Sequence, residues 1–526
     1  MLRILLLFLK GRYIELKVRM CRMKRPKYLE EISKDLTPDR FGITFSTNSK
    51  NYFYDRGTNK VIECKKWEQN FIFDLLQGHS LQEIEDKVLA TGIEDKQLER
   101  FYSEIEYENL LKAPVYSKIN SLSVEELKEG VNGLSQLILE LTEKCNLRCK
   151  YCIYNEGYQQ FRNFDYKSMS WDTAKKSIDY ACLHSGDEVS ITFYGGEPLL
   201  NYDVLKKSIE YSISSMPDKK LSFSFTTNLT LMTKEKAEFF ASQDNIYILC
   251  SFDGPKDIHD KFRIGVDGQG SFDKAISGLK CLIEAFGDRS KECIGINAVI
   301  CPPFCFEKYE KVMRFFRNLN WLSDECQINY VYVSGGTLNL TDVEKREIEK
   351  ESGKYTYELI QDWQFSYRND EDMSQMVDQY IKTDLRRIHE RLITSKPIEA
   401  LPCNGCCIPG RRRLYITVSG EFQICEKMGK SIPLGNIENG INIEQVYEKY
   451  IKEYEDKSLP ECSKCWASAL CGMCYIMAYD EKGINMEKKR ISCLGQKAAA
   501  LDNLRKYHIL LEEQPERIRR LFANKE

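Results

Sequence analysis

The 526-residue chain has almost no charge imbalance: 76 lysines and arginines stand against 79 aspartates and glutamates, a net charge of −3. A surface so balanced makes no long-range field to gather nucleic acid or an anionic membrane. The chain also lacks a run of the ~20 apolar residues that a stable membrane span requires. Its nearest approach, Leu2 to Leu9, is interrupted by Arg3 and followed by no small-residue cleavage site, so it reads neither as a span nor as a secretory signal. Residues 1–39, with Lys17, Arg19, Arg22, Lys24 and Arg25, read as a solvated N-terminal extension of a cytoplasmic protein, with weak membrane association as the alternative. There is no tandem repeat and no low-complexity tract, and there are only five histidines.

Cysteine, by contrast, is abundant: 21 residues, nine of them between Cys403 and Cys493 and three between Cys145 and Cys152. Disulfide frameworks belong to small, loop-rich secreted chains, whereas this chain is large and helix-rich. Metal thiolate chemistry in a reducing compartment is the better reading.

The chain is long enough for three to four domains at ~150 residues each. Residues 40–114 show two strand-like stretches, Tyr52 to Tyr54 and Lys60 to Cys64, then helical periodicity over Trp67 to Leu76, Leu81 to Ala90 and Lys96 to Leu111. That is a winged-helix-like pattern. Residues 115–135, with Gly130 and Gly133, read as a linker. Over 136–395 six short apolar runs alternate with helical segments: Leu137 to Leu141, Val189 to Phe193, Leu221 to Phe225, Ile246 to Phe252, Ile294 to Ile300 and Ile328 to Val333. This α/β rhythm predicts consecutive right-handed βαβ units in a curved parallel sheet. Chemistry in such sheets gathers at the C-terminal strand ends. Residues 338–395 read as charged helices, 396–500 as cysteine-rich and turn-rich, and 501–526 as a helical tail.

Directly after the first strand stands Glu143-Lys144-Cys145-Asn146-Leu147-Arg148-Cys149-Lys150-Tyr151-Cys152. Three thiolates on one tight loop can hold three corners of a [4Fe–4S] cube and leave the fourth iron to a small molecule. A zinc knuckle is the plain alternative, but it wants four ligands, and every histidine is distant in sequence from this loop. The run, including Tyr151 before the last cysteine, resembles the signature of the radical S-adenosylmethionine superfamily. The resemblance implies a partial (β/α)6 barrel, S-adenosylmethionine chelated to the open iron, and reductive cleavage to a 5′-deoxyadenosyl radical. It also implies an electron donor such as flavodoxin or ferredoxin.

Further motifs resemble the same superfamily. Gly195-Gly196-Glu197-Pro198, after the second strand, matches the element that contacts the cofactor's amino group, and Asn228 in Thr226-Thr227-Asn228 lies where the family has a TN pair. Ser251-Phe252-Asp253-Gly254, with His259, Asp260 and Arg263 downstream, is similar to the SxDG and HDxxR elements. By that similarity Tyr151, Gly195, Gly196, Glu197, Asn228, Ser251, Asp253 and Arg263 form the cofactor site. For the last group an Asp-Gly turn with a salt-bridged arginine is the bland alternative. No residue is singled out as a general base.

The C-terminal cysteines, Cys407-x12-Gly420-x4-Cys425, then Cys462-x2-Cys465-x5-Cys471-x2-Cys474 and finally Cys493, resemble the SPASM domain, which binds two auxiliary [4Fe–4S] clusters. The resemblance gives Cys462, Cys465, Cys471 and Cys493 to one cluster and Cys407, Cys425 and Cys474 to the other, with Cys403, Cys406 or a substrate thiolate at its fourth corner. Two residues separate Cys471 from Cys474 where the SPASM pattern has three. Structural zinc ribbons are the alternative. Cys182, Cys250 and Cys281 read as core thiols, and Cys301 and Cys305 are left undecided.

Residues Cys407 to Glu426 look most like maturases that join a cysteine sulfur to a carbon in cysteine-rich peptides. The 40–114 module resembles their peptide-recognition element. The implied partner is a ribosomal precursor peptide whose leader adds a strand to the module. Carbon–carbon crosslinking, cysteine or serine oxidation in a sulfatase, and a non-catalytic metal-bound peptide-binding scaffold are the other readings.

Overall fold

Alternation of side chains along the first strands decides how the N-terminal module is built. The computed structural model describes residues 25–35, 38–154, 164–302, 306–333, 374–402 and 407–523, with isolated positions between 338 and 350. Strands β1 (Gly42–Ser46), β2 (Asn51–Asp55) and β3 (Val61–Cys64) form an antiparallel sheet in that order. Along β2, Phe53 points to the module's own helices, packing with Phe71, Leu75, Leu98 and Phe101. Its neighbours Tyr52 and Tyr54 point the other way, as a period of two dictates. With Phe45 they join a core made by Leu385, Ile388, Trp466, Leu470 and Leu504 from the far end of the chain. The module is therefore no detachable appendage.

The helices are Lys66–Leu76, Leu81–Ala90 and Asp95–Tyr107. Ser80 caps the second, accepting from Glu83 N while the Glu83 side chain returns to Ser80 N. The third stops before the expected Leu111, because Asn109 and Leu111 take left-handed φ values of 57° and 58° that no α-helix continues. Strand β1 was not among the expected elements, although Ile43 and Phe45 alternate with Gly42, Thr44 and Ser46 at the strand period.

The expected linker is structured. It carries β4 (Ile119–Asn120), paired in parallel with β11 (Leu401–Pro402), and a helix, Val124–Gly130, capped by Ser123.

All six expected parallel strands are present: β5 (Leu134–Thr142), β6 (Ser185–Gly195), β7 (Lys220–Thr227), β8 (Ile246–Ser251), β9 (Ile294–Ile300) and β10 (Gln327–Tyr332). They lie in consecutive order and pair in parallel throughout. The free side of β5 takes β12 (Arg413–Ile416) in parallel, and β13 (Glu421–Gln423), β14 (Gly435–Asn436) and β15 (Gly440–Ile441) continue the sheet antiparallel to ten strands. The partial barrel and the cysteine-rich region thus share one sheet across the expected boundary at residue 395. The boundary at 500 falls inside a single 28-residue helix, Met486–Glu513, so no separate tail begins there. Cys250 and Cys301 are buried, and Cys182 and Cys281 are partly buried against the barrel core; Cys305 lies outside the described residues. No helix among the described residues is long and apolar enough to cross a membrane.

Candidate active site

The loop Cys145 to Cys152 leaves the C-terminal end of β5 and is held from two sides. On one side, Arg148 N donates to Ile264 O at 2.7 Å and Lys150 N to Phe262 O at 2.9 Å. On the other, Gly196 N donates to Thr142 O at 2.8 Å and Glu197 N to Lys144 O at 2.9 Å. The glycines are required by this approach. A Cβ on Gly196 would stand 2.0 Å from Lys144 O, and one on Gly195, whose φ is +140°, would stand 2.2 Å from Thr142 O.

Glu197, 1% exposed, accepts from Asn228 N at 2.7 Å, Thr227 Oγ1 at 2.8 Å and Leu199 N at 3.1 Å. Burial pushes its carboxyl up to about 7 against those donors. This acid ties the end of β6 to the end of β7, so it is a positioning group here rather than a free acceptor for an ammonium. Asn228 in turn donates to Asn146 Oδ1 at 3.0 Å, and Asn146 donates to Thr230 Oγ1 at 2.7 Å. Asn146, between two cysteines, was not singled out from sequence; an amide beside a cysteine loop is the signal that could have found it.

At the end of β8, Ser251 is partly exposed, whereas Asp253 is 1% exposed and Arg263 6%. Asp253 accepts from Tyr151 Oη at 2.5 Å and from Val299 N at 3.0 Å, and pairs with Arg263 Nε at 3.0 Å. Burial opposes the Arg263 charge, but Asp253 beside it holds the guanidinium above its ordinary range. Burial and Arg263 together press His259 down to about 3, so it is neutral, and its ring joins Asp253 N to Ser271 Oγ. Tyr151, Asp253 and Arg263 meet one another and brace the cysteine loop against the end of β8.

The three thiols of the loop lie within electrostatic range of one another, and burial raises Cys145 and Cys149 to about 12. They fit a [4Fe–4S] site: three partly buried cysteines on one loop, with Arg263 near Cys149 to favour its thiolate. Among the described residues no three His, Cys, Asp or Glu side chains close on a point as ligands of one ion would. Thiolates on different corners of a cube stand further apart than that.

The C-terminal cysteines gather in two groups. Cys471 feels Cys462, Cys465 and Cys493, whereas Cys425 feels Cys474 and Cys407. Burial raises Cys425 and Cys471 to about 11. Cys403 and Cys406 lie outside the described residues. A cavity of about 630 Å³, lined by Glu140, Glu143, Lys167, Thr417 and Glu421 among others, opens between the start of the cysteine loop and the β12–β13 hairpin.

Comparison with known proteins agrees with this geometry. Residues 139–316 match the model of the Radical SAM superfamily. The chain is 34% identical over 152 residues to an uncharacterised protein of Methanocaldococcus jannaschii, a match covering 29% of this chain and 50% of that one. It is 31% identical over 158 residues to the cysteine-type anaerobic sulfatase-maturating enzyme of Clostridium novyi, covering 29% and 41%. The chain spans half or less of the length of these curated relatives. A solved structure of anSMEcpe with bound AdoMet superposes with a TM-score of 0.52 at 19% identity, covering 74% of this chain and 100% of that one, which shows a shared fold. Residues 139–316 of this chain match the radical SAM superfamily and have a radical SAM-type fold, which in that superfamily implies a [4Fe–4S] cluster and S-adenosylmethionine.

Proposed function

We propose that this chain is a radical S-adenosylmethionine enzyme that installs thioether crosslinks, cysteine sulfur to carbon, in a ribosomally made precursor peptide. The observation that carries the reading is a module with an open strand edge that shares a core with the cysteine-rich region, which in turn extends the sheet of the radical SAM-type barrel. Strand β3 ends its sheet, and among the described residues nothing pairs with its outer edge. A leader segment adding there gains main-chain hydrogen bonds and side-chain pockets.

When bound at Cys145, Cys149 and Cys152, the cluster with S-adenosylmethionine supplies a 5′-deoxyadenosyl radical able to take hydrogen from a substrate carbon. The chain's own residues do the rest. The Gly195-Gly196 turn and the Tyr151, Asp253 and Arg263 group fix the cysteine loop, and the sheet floor excludes water that would quench a primary radical. The cavity beside Glu143 lies between that loop and the cysteine-rich region, where a peptide would reach both. Cys462, Cys465, Cys471 and Cys493 would hold one auxiliary cluster, and Cys407, Cys425 and Cys474 three corners of a second. Cys407, Cys425 and Cys474 alone would leave the second cluster room for a substrate thiolate; joining that sulfur to the carbon radical would be effectively unimolecular, and the electron released would pass to an auxiliary cluster while the thiol's proton goes to solvent.

The second reading is sulfatase-type oxidation of a cysteine or serine, favoured by the similarity to the sulfatase-maturating enzyme of Clostridium novyi. Mass spectrometry separates the two. A thioether product is lighter by two hydrogens per crosslink and has one thiol fewer open to alkylation at each. A product that loses two hydrogens yet is alkylated at every cysteine ends the thioether reading. The anaerobically reconstituted protein is expected to bind three [4Fe–4S] clusters. Replacing Cys145, Cys149 and Cys152 together is expected to remove one cluster and all cofactor cleavage. Zinc in place of iron leaves the metal-bound scaffold as the surviving alternative.

A further inference from the structure

The helix Met486–Glu513 carries Cys493 between two lysines, four residues before it and four after. Positions i, i+4 and i+8 share one helix face, so Lys489, Cys493 and Lys497 stand in a row. Lys489 is 1% exposed, and its Nζ lies 3.4 Å from Cys462 Sγ. An ammonium so far from water needs a negative partner close by, and the partner it has been given is a cysteine sulfur.

A second buried cation approaches the same group from the opposite end of the chain. Arg56, in the β2–β3 turn, is 0% exposed. It donates to Ser463 O at 3.0 Å and Ser468 Oγ at 2.9 Å, on either side of Cys465, while its Nη2 has no hydrogen-bond partner. Arg387, which is exposed, donates to Cys471 O at 3.0 Å. At the first group Glu461 adjoins Cys462 but is held by Arg490 at 2.7 Å, and among the described residues no buried cation is bonded to the sulfurs of the other C-terminal group. Glu426 adjoins Cys425, and its Oε2 is 4.0 Å from Arg413.

We propose that Lys489, Lys497 and Arg56 form a cationic shell that raises the reduction potential of the auxiliary centre at Cys462, Cys465, Cys471 and Cys493, setting it above that of the centre at Cys407, Cys425 and Cys474. This rests on the proposed presence of auxiliary clusters. A cube with four thiolate ligands is a net anion and becomes more anionic on taking an electron, so a nearby cation favours the reduced form. Net charge and hydrogen bonds to sulfur are the levers by which proteins tune such centres. Four protein ligands close this centre to substrate, so its use is electron acceptance. Lys489 and Lys497 are positioning residues.

The test is a one-electron redox titration followed by electron paramagnetic resonance. It uses the full chain with Cys145, Cys149 and Cys152 replaced by alanine, so that only auxiliary centres report. Two well-separated potentials are expected. Lys489→Met should move the higher one down by at least tenfold in the reduced-to-oxidised ratio, about 59 mV for one electron, and leave the lower one in place, while Lys489→Arg restores it. If Lys489→Met fails to hold the centre, Lys497→Met is expected to move the same potential in the same direction by less. A higher potential unmoved in Lys497→Met, and in Lys489→Met where that variant holds the centre, overturns the inference. Iron analysis comes first: zinc or no metal on these cysteines removes the auxiliary-cluster reading itself, whereas iron present with an unmoved potential removes only the shell.

Discussion

Tyr151 Oη and Arg263 Nε converge on the same oxygen of Asp253, at 2.5 and 3.0 Å. Tyr151 belongs to the cysteine loop, Arg263 to the segment that clamps it, and the Asp253–Arg263 pair is buried. Asp253→Ala would leave a guanidinium without its counter-charge. Breaking a buried pair from one side costs about 3–5 kcal/mol. Thermal unfolding should show a marked fall in Tm, and 5′-deoxyadenosine formation should drop with it. Tyr151→Phe removes one hydrogen bond and should lower stability by only about 1–2 kcal/mol. Equal melting of Asp253→Ala and the parent chain would contradict this account.

Gly196→Ala tests the turn against the loop. The added methyl meets the Lys144 carbonyl, which is backbone and cannot step aside alone. Overpacking of this kind costs about 1–3 kcal/mol, and here it falls on the contact that positions the loop. Cofactor cleavage is expected to fall at least tenfold while the iron at the auxiliary cysteines is retained. Unchanged cleavage would mean that the turn does not set the loop's position.

Asp55 gives the protein a stability slope with pH. It is fully buried, and desolvation lifts its carboxyl from 3.8 to about 6 despite hydrogen bonds from Leu111 N, Thr58 N and Thr58 Oγ1. Because the folded-state value is the higher one, the unfolded chain ionises first as pH rises. This group's contribution to stability therefore declines between about pH 4 and 6 and is level above that. Asp55→Asn should lack this slope and be less stable at pH 5, since its amide presents hydrogens to donors. Denaturant melts at pH 4, 5 and 7 check it; parallel curves for the two proteins would remove the assignment.

Leu504→Ala probes the core shared by both ends of the chain. Leu504 is 0% exposed and packs in one cluster with Tyr52 and Tyr54 of the module and Trp466 of the cysteine-rich region. The cost should be about 2–5 kcal/mol. Calorimetry should show the module and the C-terminal region melting as one transition. An N-terminal module that melts separately would contradict the shared core.

The six parallel strands and the cysteine loop were legible in sequence because β-branched runs at strand length and thiols at fixed spacing are local signals. The groups Cys462 to Cys493 and Cys407 to Cys474 were sorted by resemblance; in the structure Cys471 has Cys462, Cys465 and Cys493 near it, and Cys425 has Cys474 and Cys407. The remainder depends on contacts between distant segments. Nothing near Arg56 in sequence announces that it will brace Ser463, 407 residues onward. The donors to Glu197 from Thr227 and Asn228 arrive only once β6 and β7 pair, so its place in the hydrogen-bond network was not visible in sequence. Lys489 was legible in principle, as one of two lysines spaced four residues from Cys493, but the spacing has meaning only once the segment is known to be helical.

The contact of Tyr52 Oη with Glu512, 460 residues further along the chain, has a consequence for how the protein is made. At ribosomal speeds of about 5–20 residues per second, roughly 20–90 s pass between the emergence of the two partners. Throughout that interval Phe45, Tyr52 and Tyr54 present an aromatic face with no cover from the helix that will bury it. The module is thus made long before its cover, and in a crowded cell a chaperone is the natural tenant of that face until residues 486–513 arrive.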